Sequence, residues 1–233
     1  MGAMEYWQAF DAPTIPGAAS TEVWRESFTA VMPDGRRLSL PLRDMGETAV
    51  AGLIVSQASF AVLDALDAWM VEVARPHAAE IVVGLPTLGH VVGAAVARGL
   101  GHANWVAPGI SRKLWYEDAL SVALASITSP GGGRRMWLDP RVVHRLEGRR
   151  VLLVDDVVST GASVVAALEL LRQVGVRPVA VCAAMLQGDR WRAAVPAGLV
   201  VQGVFATPMF KGVIGGWAPV PGTDAAGDCS LMA

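Results

Sequence analysis

The chain has 233 residues, which is enough for one large α/β domain or for a domain with a small appendage. Its formal net charge is -2 and its pI is about 6.1. A chain with this charge lacks the excess of positive charge that nucleic-acid-binding proteins use, so we expect no nucleic acid among its partners.

Apolar residues make up 53% of the chain, which raises the question of a membrane span. The longest apolar stretches, 48–63 and 81–97, fall short of the roughly 20 residues of a spanning helix, and polar residues, Pro or Gly interrupt both. We therefore expect no membrane partner, and interpret the apolar surplus as buried parallel strands and a homodimer interface. The N-terminus shows no signal-peptide pattern, and the two cysteines have no metal-type spacing, so we expect a cytoplasmic protein.

The first 45 residues are predicted to form a small β unit, a hairpin around the turn signal Pro33-Asp34-Gly35. Residues 48–74 are expected to be helical and to end at Pro76. The apolar residues of this predicted helix recur at three- and four-residue steps: Phe60, Leu63, Leu66, Met70 and Val73.

Two strand–loop–helix units follow, "EIVVGL-PTLGH-VVGAAVARGL" and "RRVLLVDDVV-STGA-SVVAALELLRQVG", and then two apolar segments, "RPVAVCAAML" and "GLVVQGVFATP". This alternation predicts an α/β fold, a twisted parallel sheet with helices on both faces, over residues 46–204. Right-handed crossovers carry the loops after the strands to one edge, where ligands bind in this architecture. The segment at about 107–147 is predicted to be a lid, part strand ("LSVALASIT") and part mobile loop at Gly131–Gly133.

The stretch "VLLVDDVVSTGAS" combines two carboxylates with a turn suited to an anion. Asp155 and Asp156 are delivered by a strand, and Ser159–Ser163 turn into a helix whose free N–H groups attract phosphate. Because carboxylates repel phosphate, the acids must face another group, and ribose hydroxyls are hydrogen-bond donors of the right kind. The pattern therefore favours a sugar 5′-phosphate. Acid pairs also occur in receiver domains and in nucleotide hydrolases, but the G-x-x-x-x-G-K-[ST] loop of the hydrolases is absent.

These thirteen residues resemble the PRPP-binding motif of type I phosphoribosyltransferases, and the order of elements is most similar to the adenine (purine) enzymes. The resemblance implies that Asp155 and Asp156 bind the ribose hydroxyls of PRPP and contact magnesium through water. It also implies a 5′-phosphate site formed by Ser159, Thr160, Gly161, Ala162 and Ser163.

The family's pyrophosphate loop is matched by "GLPTLG", which implies that Thr87, Leu88 and Gly89 bind pyrophosphate through backbone N–H groups. The adenine enzymes carry an Arg where this chain has Leu88. Arg112 and Lys113, in "SRKLWYED", resemble the basic start of the family's lid, which implies a catalytic role in neutralising the leaving group.

The implied reaction is magnesium-dependent transfer of the 5-phosphoribosyl group from PRPP to a nucleobase, with purine favoured, and release of pyrophosphate. In this family a variable hood covers the base, and either residues 1–45 or residues 205–233 are placed to supply it. Phe205 and Trp217 are candidates for stacking on the base. Two alternatives belong to the same fold: a non-catalytic PRPP-binding regulator, and an enzyme acting on an amine. Enzymes of the second kind carry extra catalytic apparatus, such as an N-terminal Cys glutaminase, which we do not expect here because neither Cys182 nor Cys229 is near the start of the sequence.

Overall fold

The computed structural model describes residues 5–11, 23–124 and 134–232. The predicted mobile loop at Gly131–Gly133 lies outside these ranges. In chain order the strands are β1 (Ser27–Val31), β2 (Arg37–Asp44), β3 (Thr48–Ala51), β4 (Ile81–Gly84), β5 (Ser121–Ala123), β6 (Arg135–Trp137), β7 (Val151–Val158), β8 (Ala180–Gln187), β9 (Val200–Thr207), β10 (Met209–Val213) and β11 (Gly216–Pro219). The α-helices are α1 (Phe60–Ala74), α2 (Gly89–Gly99), α3 (Ala162–Arg172) and α4 (Trp191–Ala194).

A parallel sheet with the strand order β4-β7-β8-β9 forms the centre of the fold. The predicted α/β class is therefore confirmed. All four strands follow the apolar runs of the sequence, because strands covered on both faces need apolar side chains on both. In β8 every residue is buried.

Two layers of helices cover this sheet, one on each face. On one face α1 and α2 pack against alternate strand residues such as Val82, Leu152 and Cys182. On the other face α3 packs against the intervening residues, such as Val83 and Leu153. The period-two alternation of strand side chains produces this division.

A second sheet joins the two ends of the chain in the order β1-β2-β3-β10-β11. The β1–β2 hairpin turns at the predicted Pro33-Asp34-Gly35, where Gly35 has a φ of 81°. Trp24, just before β1, exchanges two backbone hydrogen bonds with Trp217 of β11, at 2.8 and 2.7 Å. The sheet therefore closes nearly on itself, and the Phe210 side chain is fully buried inside the fold.

The prediction of a helix over residues 48–74 is wrong at its start. Thr48–Ala51 forms β3, which pairs with β2 on one side and β10 on the other. A four-residue apolar run fits a strand as well as a helix, and only pairing partners from elsewhere in the chain distinguish them. The helix begins after Ser59, whose hydroxyl accepts a hydrogen bond from the Val62 amide. Phe60, in its first turn, is 80% exposed.

Within the described ranges, every helix is too short or too polar to cross a membrane.

Candidate functional site

The two acids lie in the second half of β7, near the edge of the parallel sheet where its strands end. Asp155 is 6% exposed, and its Oδ1 atom accepts a hydrogen bond of 3.0 Å from the amide of Asp156. Asp156 is less buried. The parallel register fixes this height, because Asp155 pairs with Ala183 of β8.

The loop after β4 lies directly against Asp155. The Leu85 amide donates to the Val154 carbonyl at 2.8 Å, which fastens the loop to β7. A β-carbon at Gly89 would lie 2.7 Å from Asp155 Oδ1, so only glycine fits at this position. The amides of Thr87, Leu88 and Gly89 donate to no acceptor among the described residues, and the Pro86–Thr87 peptide bond is cis. Backbone donors are therefore available beside the acids.

The turn after β7 has the form of an anion site. Gly161 has a φ of 79° and precedes α3, and its carbonyl accepts from the Val165 amide. The amides of Thr160, Gly161 and Ser163 have no acceptor within the described part of the chain. A pocket of about 100 Å³ is lined by Asp155 and by Val157–Val164. Acid and turn therefore border one cavity.

Burial raises the pKa of the Asp155 carboxyl well above its usual value, and the charge of Asp156 adds to the rise. Burial also raises the pKa of Asp156. A ligand that donates hydrogen bonds to these buried carboxylates, or that places a positive charge beside them, would stabilise their ionised form.

Comparisons with known proteins agree with this geometry. Residues 57–196, more than half of the chain, match the model of the phosphoribosyl transferase domain family. The chain belongs to this family. An adenine phosphoribosyltransferase of Erythrobacter litoralis is 36% identical over 164 residues, which cover 70% of this chain and 73% of the relative. That of Novosphingobium aromaticivorans is 38% identical over 105 residues, or 44% and 53% of the two chains.

The chain spans about half the length of several curated relatives that it matches. Among solved structures, adenine phosphoribosyltransferase from Rhodothermus marinus superposes with a TM-score of 0.50 at 23% identity, over 63% of this chain and 80% of that one. This likeness establishes a common fold.

In the loop after β4, Leu88 stands at the position where the resemblance to the adenine enzymes implies an Arg. The Leu88 side chain is partly buried and packs against the core that contains α1 and α2. It also precedes α2 without forming any side-chain cap. The loop therefore offers an anion its backbone N–H groups and no charge of its own.

The predicted lid residues Arg112 and Lys113 are exposed and form a separate cluster. Arg112 is 3.4 Å from Asp118 and its guanidinium lies 5.5 Å from the centre of the Trp137 ring. With Leu114 and Trp115 the two residues line a surface pocket of about 400 Å³. Among the described residues, no hydrogen bond or ion pair joins them to Asp155, Asp156 or the Ser159–Ser163 turn. The strand predicted over 120–128 is confirmed at Ser121–Ala123, which is β5 and pairs with β6; residues 125–128 lie outside the described ranges.

The two predicted stacking residues differ in accessibility. Phe205 has no exposed surface and packs in the core between the parallel sheet and α1, which contradicts a stacking role. Phe205 shares this core cluster with its chain neighbour Val204, and in the parallel register it pairs with the buried Met185 of β8. Trp217 is half-buried in β11 and retains an accessible surface.

One polar residue beside the turn was missed by the sequence reasoning. Arg190 follows β8, and its Nη2 atom donates to the Ser159 hydroxyl at 3.1 Å. The sequence shows that "GDRW" follows an apolar strand, which places its loop at the carboxyl edge of the sheet, but only the structure shows that this strand lies beside β7.

The acid pair also fits a magnesium ion in part. Carboxylate oxygens are ligands that Mg²⁺ prefers, and Asp155 and Asp156 are adjacent in β7. In the described residues no group of three or more His, Cys, Asp or Glu side chains is placed to hold a metal. Further ligands would therefore come from substrate and water.

Proposed function

We propose that this protein transfers the 5-phosphoribosyl group from PRPP to a purine base and releases pyrophosphate. The observation that carries the proposal is the single pocket bordered by Asp155 and by the Ser159–Ser163 turn. PRPP has the matching chemistry, with hydroxyl donors on C2 and C3 of its ribose and a phosphate on C5 of the same sugar. Similarity to adenine phosphoribosyltransferases favours a purine as the acceptor.

The binding mode follows from the donors and acceptors. Asp155 and Asp156 accept hydrogen bonds from the ribose hydroxyls. The free amides of the turn donate to the 5′-phosphate, which the positive end of the α3 dipole also attracts. The free amides of Thr87, Leu88 and Gly89 donate to the pyrophosphate. Gly89 contacts Asp155, so the pyrophosphate and ribose sites adjoin.

Breaking the bond between ribose C1 and the pyrophosphate oxygen leaves positive charge on the sugar and negative charge on the leaving group. A ring nitrogen of the purine then bonds to C1, and its proton is released to water. The proposed contribution of this chain is to position the two, to stabilise the pyrophosphate and to keep water away. Arg112 and Lys113 neutralise the leaving group when the segment that carries them moves over the site. A magnesium ion, held by Asp155 or Asp156 through water, would supply further charge neutralisation.

The base-binding hood is proposed to be the nearly closed sheet of β1-β2-β3-β10-β11. Gln187 ties this sheet to the ligand edge, since its Nε2 atom, just before the Arg190 turn, donates to the Ala51 carbonyl at 2.5 Å. Trp217 is the remaining candidate for base stacking. The predicted homodimer stays a prediction, which light scattering would check.

A PRPP-binding regulator of the same fold is the second candidate. Leu88, at the position where the resemblance implies an Arg, favours it, because a pyrophosphate loop without a cation stabilises the departing charge less.

The test is pyrophosphate release by the full chain with PRPP, magnesium and each of a panel of purine and pyrimidine bases. We expect release with a purine, and loss of it in the Asp155→Asn/Asp156→Asn double variant. The control is Asp64→Asn, an exposed acid on α1. Calorimetric PRPP binding with no release across the panel would favour the regulator, and absence of PRPP binding would refute both.

A further inference from the structure

Arg190 lies in the turn between β8 and α4, next to the proposed 5′-phosphate site. Its Nη2 atom is 3.1 Å from the hydroxyl oxygen of Ser159, the first residue of that site. β8 is the neighbour of β7 in the parallel sheet, so the two turns leave the sheet side by side. This adjacency brings a cation from a distant part of the sequence to the turn.

The backbone that carries Arg190 is held firmly against the turn. A β-carbon at Gly161 would lie 3.4 Å from the Trp191 Cα atom and 3.3 Å from the Ala194 Cβ atom. Trp191 is 5% exposed, and its indole N–H donates to the Gly188 carbonyl at 3.1 Å. The position of Arg190 relative to the Ser159–Ser163 turn is therefore set by packing.

The charge of Arg190 is available to a ligand. Within the described part of the chain it has no carboxylate partner, and its one side-chain hydrogen bond uses one of the five N–H donors of a guanidinium. Arg192, two residues on, is different: it forms an ion pair with Asp228 and lies over the Trp191 ring. Arg192 is therefore already paired with a carboxylate, whereas the guanidinium of Arg190 can still bind an anion.

We infer that Arg190 binds the 5′-phosphate of the substrate directly, an inference that rests on the proposed function. The Ser159–Ser163 turn supplies hydroxyls and amides but contains no cationic side chain, and the acids of the neighbouring strand repel a phosphate dianion. A guanidinium matches phosphate oxygens with paired N–H donors and offsets that repulsion. Arg190 is thereby a specificity residue, which selects a phosphorylated sugar over the free sugar.

The experiment is calorimetry of the full chain with three probes: PRPP, ribose 5-phosphate and inorganic pyrophosphate. Arg190→Gln should weaken PRPP and ribose 5-phosphate about ten- to hundredfold, the loss typical of a hydrogen bond to a charged group, and leave pyrophosphate affinity unchanged. Arg190→Lys should recover part of the loss. Arg192→Gln removes the same charge two residues away and should change none of the three affinities.

The outcomes separate the inference from the function on which it rests. Wild-type binding of PRPP with equal affinity in Arg190→Gln would overturn the role of Arg190 and leave the function standing. An equal loss of pyrophosphate affinity would also overturn the role of Arg190, because the substitution would then act through the overall electrostatic potential or through a change in structure. Failure of the wild type to bind PRPP would overturn the proposed function itself. If Arg190→Gln unfolds, Arg190→Lys and Ser159→Ala, both probing the same contact, provide the comparison.

Discussion

The backbone of Gly89 lies against the carboxylate of Asp155, so closely that an added methyl group would be 2.7 Å from Oδ1 and 2.9 Å from the Asp155 Cα atom. The loop after β4 and the acid of β7 therefore occupy one tightly packed unit. A change on either side of this contact must displace the other.

Substituting Gly89→Ala should push the loop and Asp155 apart, because the third near atom, the Val154 carbonyl oxygen at 2.9 Å, belongs to the rigid sheet. We expect a loss of about 1–3 kcal/mol in unfolding free energy and a fall in PRPP affinity. Calorimetry and thermal unfolding measure the two. Gly227→Ala is the control, since a β-carbon there meets no atom within 4 Å; an equal effect of both variants would contradict this account.

Substituting Leu88→Arg should add a cation to the loop after β4, the loop that the proposed function assigns to pyrophosphate. We expect pyrophosphate to bind roughly two- to fivefold tighter at low ionic strength, the range of an exposed ion pair, with the gain shrinking as salt is added. Because Leu88 also packs against the core, Leu88→Gln isolates the lost packing. A gain shared by the Gln variant, or one insensitive to salt, would count against charge as the cause.

Substituting Lys113→Ala should lower turnover more than PRPP affinity if the lid acts on the charge that develops on the leaving group. We expect a fall in kcat of about ten- to hundredfold. The exposed Arg149→Ala variant controls for loss of a surface cation. An affinity loss with unchanged kcat would make Lys113 a residue that binds the substrate ground state.

Asp67 gives the protein a pH-dependent stability. Burial, with a smaller effect of the Asp64 charge, raises the pKa of Asp67 from 3.8 to about 7, and its Oδ1 atom is buried without a hydrogen-bond partner in the described residues. The folded state thus holds a proton more tightly than the unfolded state. This contribution to stability is complete below pH 4 and is lost as the pH rises through 7.

Substituting Asp67→Asn should therefore stabilise the protein at pH 8 by roughly 1 kcal/mol, after allowance for the part of the group that water screens, with little effect near pH 4. Thermal unfolding across this pH range measures the difference. The exposed Asp64→Asn change should have a smaller effect at every pH, and a pH-independent Asp67→Asn effect would refute the assignment.

The parallel sheet and the loops after β4 and β7 were predictable because the apolar runs of these strands are each bounded by turn residues. The residues from Thr48 to Ala51 were not, since their strand exists only through pairing with β2 and with β10. Local pattern carries no information about such distant partners.

The same limit applies within the site. The character of the Ser159–Ser163 turn could be read from its own residue types, whereas the contact of Arg190 with Ser159 depends on the order of strands in the sheet. Phe205 illustrates the reverse error: an aromatic near the end of a strand suits a ligand or a core equally, and only the three-dimensional packing decides.

The pairing of Val50 with Met209 has a consequence for how the chain folds during synthesis. The ribosome releases every strand of the parallel sheet before it releases β10, so the sheet edge that carries Asp155 and Asp156 can assemble while one side of β3 is still unpaired. We expect the nascent chain to be most vulnerable to aggregation in this interval. Pairing of β3 with β10 joins segments far apart in the chain, so we expect completion of the second sheet to be the last and slowest step of folding.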